Sequence, residues 1–563
     1  MSHCPGSSFV VRRSWFRRIS LLLLLGVALA AGEAKGTVVV TLTGGLELRP
    51  AEGLFGGGEP SLHEATQQLR EALGGPEGRV ILDLSRGFRP GLAAAEEIAA
   101  VLRERAPGRK VACLVDQCED SVLVVAAACD EVVIPSGGMT AIKGLAAESW
   151  YLAGALGRIG VTFHAVASGP FKTAPEMFTS DGPSDQARAE TRQLLAALDR
   201  TLVALSLRLG FDAAALTRAR ASGLQPAPAA RALGIATAAA EPGAWFAAQP
   251  QPLRRLRFGP EVPDLSSLAG MMRFWAQLMG GDAAARPARS VAVVELAGMI
   301  VPGERSMPGE TIADGDTVAM LDRLRDDRKI VAVVLRIDSG GGDAGASDRI
   351  HHAVRRLDGA KPVICLMDGV AASGGYWIAC AAREIRVHRA TITGSIGAFA
   401  MVPDLDGAIG LLGVKRHVEL GSPRADLFHP GGWDEGKAAI YRALIADVDQ
   451  RFRTLVADRR KLPRERVDQL AEGRVFTGEQ AVAEGLADGL GNLGSTVARL
   501  RELAHEPAPL PLERFPKGSG LAARLGLADA TAFVPGARSI AVWAELSRRG
   551  PLILALRPVP SVR

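Results

Sequence analysis

The sequence predicts an α/β protein built from two copies of one domain. Three observations carry this reading. First, stretches of the first half recur in the second: "RVILDLSRGF" (79–88) parallels "VAVVLRIDSGGG" (331–342), "KVACLVDQCEDS" (110–121) parallels "KPVICLMDGVAAS" (361–373), and "CDEVVIPSGGMTAIKG" (129–144) parallels "CAAREIRVHRATITGSIG" (380–397). Cys113 and Cys365 are 252 positions apart, and so are Ser121 and Ser373. A period that long marks a duplicated domain, because solenoid repeats run to roughly 20–50 residues. Second, "VAVVELAG" and "IVAVVLRID" are continuous apolar runs of the kind buried on both faces of a parallel sheet. Third, "TVAMLDRLRDD" and "SDRIHHAVRRLDG" space their apolar residues by three and four, as amphipathic helices do. Strand and helix in alternation give stacked α/β layers.

The elements follow in order. Arg12, Arg13, Arg17 and Arg18 precede "ISLLLLLGVALAAG" (19–32), so residues 1–35 read as a secretory signal or an uncleaved anchor. "ALA" at 28–30 permits cleavage; Trp15 and Phe16 lengthen the apolar stretch towards the ~20 residues of a span and favour the anchor. Either form exports the chain, and the flanking arginines put everything beyond residue 35 on the outer face of the membrane. The first domain is expected over 36–250 and the second over 290–505. The proline-rich stretch within 251–289 reads as a linker and 506–563 as a tail punctuated by Pro and Gly.

With 563 residues the chain exceeds what a single core serves. Its net charge of +5 comes from scattered arginines, with no basic patch interleaved with aromatics, which excludes nucleic acid as a partner. The six cysteines form no C-x-x-C pair and no His cluster accompanies them. Neither a metal site nor a disulfide framework is expected.

Chemistry enters where the two copies differ. In "MDGVAASGGYWIAC" (367–380) Ser373 stands among small residues and is followed by Gly374 and Gly375. Glycines there let a backbone N–H approach a developing oxyanion. The equivalent Ser121 lacks them and follows Glu119 and Asp120, so it reads as structural. After a buried strand the second copy has "DSGGGD" (338–343) where the first has "SRGFRP". A serine hydroxyl needs a base. Fifty-one residues beyond each serine the first copy has "SGPFKTAPEMF" (168–178), with Lys172, and the second has "GSPRADLF" (421–428), with Arg424. Arginine stays protonated, whereas a lysine in a dry apolar site can act as a base. The half-sites are therefore complementary, and Lys172 is the expected base for Ser373. His351, His352 and His388 sit in helix or strand patterns and read as structural or surface residues. A Ser–Lys pair is a known variant of the serine-hydrolase arrangement.

"DSGGGDAGAS" (338–347), "MDGVAASGGYWIAC" (367–380), "TITGSIGAFA" (391–400) and "SGPFKTAPEMF" (168–178) resemble the signal peptide peptidase A family, in its long, tandem-domain, membrane-anchored bacterial form of the protease IV type. The resemblance implies a crotonase/ClpP-like fold, a superhelix of ββα units, in each half. It implies a serine protease that needs no cofactor and degrades remnant signal peptides and other short or unfolded peptides. By motif, Ser373 would be the nucleophile, Lys172 the general base and Ser395 the residue that orients it. Gly374 would supply one oxyanion N–H and Gly341 the other, with Gly342 a near alternative. The resemblance further implies a homotetrameric dome at the bacterial inner membrane, with its catalytic domains on the periplasmic face. The chain departs from the family's pattern at several points. Asp338-Ser339-Gly340-Gly341-Gly342-Asp343 replaces N-S-P-G-G-S, Phe171 replaces Tyr, Thr173 replaces Ser and Met177 replaces Pro. Two other functions suit the same fold: a crotonase-type acyl-CoA hydratase or isomerase, and an inactive membrane scaffold.

Overall fold

The computed structural model describes residues 36–516 apart from 51–59, 209, 257, 259–265, 269–270, 273–286 and 308, and beyond them 553–554 and 561–562. The expected leader, residues 1–35, lies outside the described residues. Among those described, no helix is long and apolar enough to cross a membrane.

The strands that build and join the halves are, in chain order, β1 (Thr37–Gly44), β2 (Arg79–Phe88), β3 (Lys110–Leu114), β4 (Glu131–Pro135), β5 (Thr162–Ala167), β6 (Ala238–Ala240), β7 (Leu253–Leu256), β8 (Ser290–Ala297), β9 (Ile330–Ser339), β10 (Val363–Ala372), β11 (Glu384–Val387), β12 (Ile392–Gly394), β13 (Phe399–Asp404), β14 (Val475–Thr477) and β15 (Leu512–Phe515). The first sheet runs β6-β4-β3-β2-β1-β7, parallel throughout. In the second, β15-β8-β9-β10 continues in parallel to both β11 and β12, and β14 closes it antiparallel to β12. β1, β2, β3, β4 and β7 of the first sheet thus hold the places of β8, β9, β10, β11 and β15 in the second. The duplication legible in sequence is a duplication of topology.

Two strands fall outside the expected domain limits. β7 lies in the stretch read as a linker and β15 in the stretch read as a tail, yet each pairs in parallel with the first strand of its half. Their arginines and glutamate hid them: "LRRL" and "LERF" each place two charged residues between two apolar ones and carry no continuous apolar run.

Each sheet buries its own core. Val38, Val40, Leu82 and Cys113 pack in the first half, and Val294, Leu335, Cys365 and Met367 in the second. Helix α1 (Ala344–Ala360) shows how local sequence sets this up. Asp343 caps it by accepting from the Ala346 N–H at 2.7 Å, and Ala346, Ile350, Ala353, Val354 and Leu357 line the face turned to the sheet.

The halves are fastened by three kinds of contact. β5 of the first half pairs antiparallel with β13 of the second, from Ala167 opposite Phe399 to Thr162 opposite Asp404. Leu194 and Leu198 pack on Ala390 and Ile392. Carboxylates of the first half accept from backbone N–H groups of the second: Glu96 from Arg389 at 2.9 Å, Glu97 from Leu493 at 3.1 Å and Glu190 from Val475 at 2.8 Å. Beneath this seam Arg336 and Asp368 form a buried bidentate pair, with His388 placed between Asp368 and Glu97. Burial alone would push His388 down; Asp368 and Glu97 outweigh it and raise it above its ordinary value.

Candidate active site

Ser373 follows the last residue of β10 and stands at the N-cap of a short helix, Gly374–Ala379. Its backbone sits at φ 55°, ψ −117°, a region that costs a non-glycine residue about 1–3 kcal/mol. The surrounding sheet fixes that turn, since the Ser373 N–H donates to Gly394 O at 2.8 Å. Ser373 is fully buried, as is Ser395, which also takes a positive φ, 52°.

The β5–β13 pairing carries the chain after β5 directly into this site. Ser168 continues it, donating its N–H to Ala398 O at 2.9 Å. Four residues later Lys172 lies buried, with Nζ 2.8 Å from Ser373 Oγ, 2.8 Å from Ser395 O and 3.0 Å from Ser395 Oγ. The lysine of one half and the serine of the other are thus brought together within a single chain.

Two backbone N–H groups stand beside the serine. Gly374 N–H belongs to the first turn of its helix and has no intrahelical partner. A Cβ added to Gly374 would come within 2.5 Å of Ser347 Oγ and 3.3 Å of Gly341 Cα, so the glycine loop after β9 presses directly on the serine turn. That loop is pinned through Ile300, which donates its N–H to Gly341 O at 3.0 Å and accepts from the Asp343 N–H at 2.8 Å. The N–H of Gly341 donates to Ser339 Oγ at 3.2 Å and is already engaged. The N–H of Gly342 has no hydrogen bond among the described residues. A Cβ on Gly342 would lie 2.0 Å from Ile300 O, which explains why a glycine is needed there. Asp343 does not turn its charge into the site; its carboxylate caps α1.

The remaining candidates lie elsewhere. Ser121 lines a separate cavity of about 1050 Å³ with Asp120, Lys143 and Asp338. Arg424 pairs with Asp434 at 2.8 Å on the surface. His351 points its Nδ1 at Trp377 O, 2.9 Å away, and burial lowers its pKa to about 4. Among the described residues no group of three or more His, Cys, Asp or Glu side chains could hold a metal ion. Ile300 and the turn 472–474, both in contact with the site, lie outside the motifs that mark the site in the sequence. Ile300 sits in an unremarkable apolar stretch, but Gly473 followed by Arg474, just ahead of a short strand, was a visible signal.

The profile of peptidase family S49 matches residues 103–202 and 355–506. A protein called Protease 4 from Haemophilus influenzae is 30% identical over 449 residues, covering 77% of this chain and 72% of that protein. Protease 4 from Salmonella typhi is 40% identical over 220 residues, 38% of this chain and 35% of the relative. The chloroplastic serine protease SPPA of Arabidopsis thaliana is 26% identical over 427 residues, covering 74% and 61%. Among solved structures, ClpP1 from Listeria monocytogenes matches with a TM-score of 0.24 and 16% identity, over 36% of this chain and 91% of that one. The family match and these protease relatives define the class as that of serine peptidases, on an α/β fold. Within it, the chain belongs to peptidase family S49.

Proposed function

We propose that this chain is a membrane-associated endopeptidase in which Lys172 activates Ser373 to cleave remnant signal peptides and other short or unfolded peptides. The observation that carries the reading is the 2.8 Å separation of Lys172 Nζ and Ser373 Oγ, both buried. Burial penalises the charged ammonium and so favours the neutral amine that a base requires. Neutral Lys172 takes the hydroxyl proton as Ser373 Oγ bonds to the peptide carbonyl carbon. The carbonyl oxygen becomes an oxyanion, received by the N–H groups of Gly374 and Gly342. Gly342 takes the role expected of Gly341, whose N–H is engaged with Ser339. The C–N bond then breaks, and Lys172 returns the proton to the leaving amine. Water repeats the sequence on the acyl-enzyme. Ser395, through its hydroxyl and its carbonyl, fixes the direction of Nζ.

An apolar substrate suits the surroundings. Phe163, Phe399 and Met401 of the β5–β13 ribbon pack with Ala174 and Phe178, so the segment that carries Lys172 runs through apolar surroundings. Leu411, Leu412, Val414 and Phe428 are exposed apolar side chains that assembly into a tetramer would cover. Arginines 12, 13, 17 and 18 ahead of the apolar run 19–32 support attachment to the inner membrane with the catalytic halves outside.

The test is hydrolysis of peptide esters and casein by the full chain in detergent, beside Ser373→Ala and Lys172→Ala of the same assembly state. Loss of turnover in both variants is expected. Unaltered turnover in Lys172→Ala would remove the lysine from the mechanism, and an inert parent would remove the activity.

A further inference from the structure

The base reaches its serine across the seam between the halves, and a base misplaced by an ångström costs about 10²-fold in rate. One turn of the second half, residues 472–474, touches both the segment that carries Lys172 and the backbone of Ser395. Two residues in succession hold positive φ there, Glu472 at 64° and Gly473 at 91°. The Glu472 carbonyl accepts from the Phe171 N–H at 3.1 Å, and the Gly473 N–H donates to Ile396 O at 2.9 Å. The Arg474 carbonyl accepts from the Ser395 N–H at 2.6 Å. The Arg474 guanidinium lies 3.9 Å from the centroid of the Phe171 ring, next in sequence to the base. That approach is a cation–π contact, which ties the Arg474 side chain to the residue before the lysine.

Glycines make the approach reciprocal. A Cβ on Gly473 would fall 2.5 Å from Lys172 N and 2.7 Å from Lys172 Cα. A Cβ on Gly169 would fall 2.6 Å from Glu472 Cα. Each segment therefore has a glycine where the other's backbone comes closest.

We infer that Gly473 and Arg474 are positioning residues for the reaction: the 472–474 turn locks the Phe171–Lys172 backbone and the Ser395 backbone to each other, so that Nζ is held on Ser373 Oγ. The inference rests on the Ser373–Lys172 reading above. The turn itself contributes no reacting group. It fixes the two backbones between which the lysine side chain must stretch, and it does so from the half that carries the serine.

The experiment compares Gly473→Ala, Arg474→Ala, Phe171→Leu and Phe171→Tyr in the full chain. Each is read by the rate of Ser373 modification by a fluorophosphonate, by kcat and KM on a peptide ester, and by thermal midpoint. Gly473→Ala and Arg474→Ala are expected to slow both modification and kcat by about 10- to 100-fold with KM within about twofold. Phe171→Leu, which removes the ring and leaves the turn intact, should follow Arg474→Ala, and Phe171→Tyr should restore the parent rate. Parent-like modification rates in folded Arg474→Ala and Phe171→Leu would overturn the inference, as would a loss of midpoint with unchanged rate per folded molecule. Should Gly473→Ala fail to fold, Arg474→Ala and Phe171→Leu decide together. Lys172→Ala is run alongside: if it keeps the parent modification rate, the dyad reading fails, whatever the turn variants do.

Discussion

Lys172 Nζ and Ser373 Oγ lie 2.8 Å apart although 201 positions separate them in the chain. The contact depends on an antiparallel ribbon, β5 on β13, whose register brings Ala167 opposite Phe399 and so delivers the lysine segment beside Ser395. In the proposed mechanism neither half holds a complete site. Rate should therefore respond to the seam as well as to the reacting groups.

The first prediction separates roles within the site. Ser373→Ala should lose turnover by at least about 10³-fold. Ser395→Ala leaves the Ser395 carbonyl on Nζ and removes only the hydroxyl at 3.0 Å, so a loss of about tenfold in kcat is expected. Steady-state kinetics on one ester substrate measures both, and equal losses would contradict the ranking.

Gly342→Ala should damage the oxyanion loop. Its Cβ would meet Ile300 O at 2.0 Å and push the loop away from the serine turn. Removal of one oxyanion donor costs about 10²–10³-fold in kcat. Kinetics together with a thermal midpoint checks this; a parent-like kcat would return the role to another N–H.

Stability should depend on pH through Asp338. Burial, and then the charge of Asp368, push its carboxyl up to about 6. In the unfolded chain an aspartate titrates near about 3.9. Between these values the folded protein holds a proton that the unfolded chain has released. The stabilising contribution is therefore present below about pH 4, declines as pH rises, and is lost above about pH 6. Asp338→Asn keeps an oxygen for the Val370 N–H, 2.9 Å away, and cannot ionise. Parent and variant should match near pH 4 and the variant should be the more stable above pH 6, as read by urea midpoints. A constant difference across that range would contradict the assignment.

Breaking the buried Arg336–Asp368 pair should be costly. Arg336 is fully buried, so Asp368→Leu strands a charge and should destabilise by about 3–5 kcal/mol. Replacing both, Arg336→Met with Asp368→Leu, should cost less than the single change. Urea unfolding of the three proteins decides it.

Leu412→Glu with Phe428→Glu tests the proposed assembly. These side chains are 80% and 64% exposed in the single chain, so the substitutions should leave its fold intact and weaken self-association. Sedimentation velocity should show a smaller species; an unchanged one would place the contact on another surface.

The duplication and the α/β class are legible in the residues alone, and the complementary half-sites are the reading proposed from them. Continuous apolar runs such as "IVAVVLRID" announce buried parallel strands, and a constant offset of 252 lines up Ser121 with Ser373. Lys172 stands out as the proposed base because its counterpart, Arg424, cannot serve as one. The limits of each half were less legible. β7 and β15 are short, charged edge strands whose place is set by pairing with β1 and β8. Which glycine N–H is left open beside Ser373 depends on the folded loop, since Ser339 Oγ must turn to Gly341. The same holds for the 472–474 turn against Lys172. Composition and spacing report what each segment can form locally. Close approach between segments 300 residues apart depends on packing and strand register, which become defined only when both halves have folded against each other.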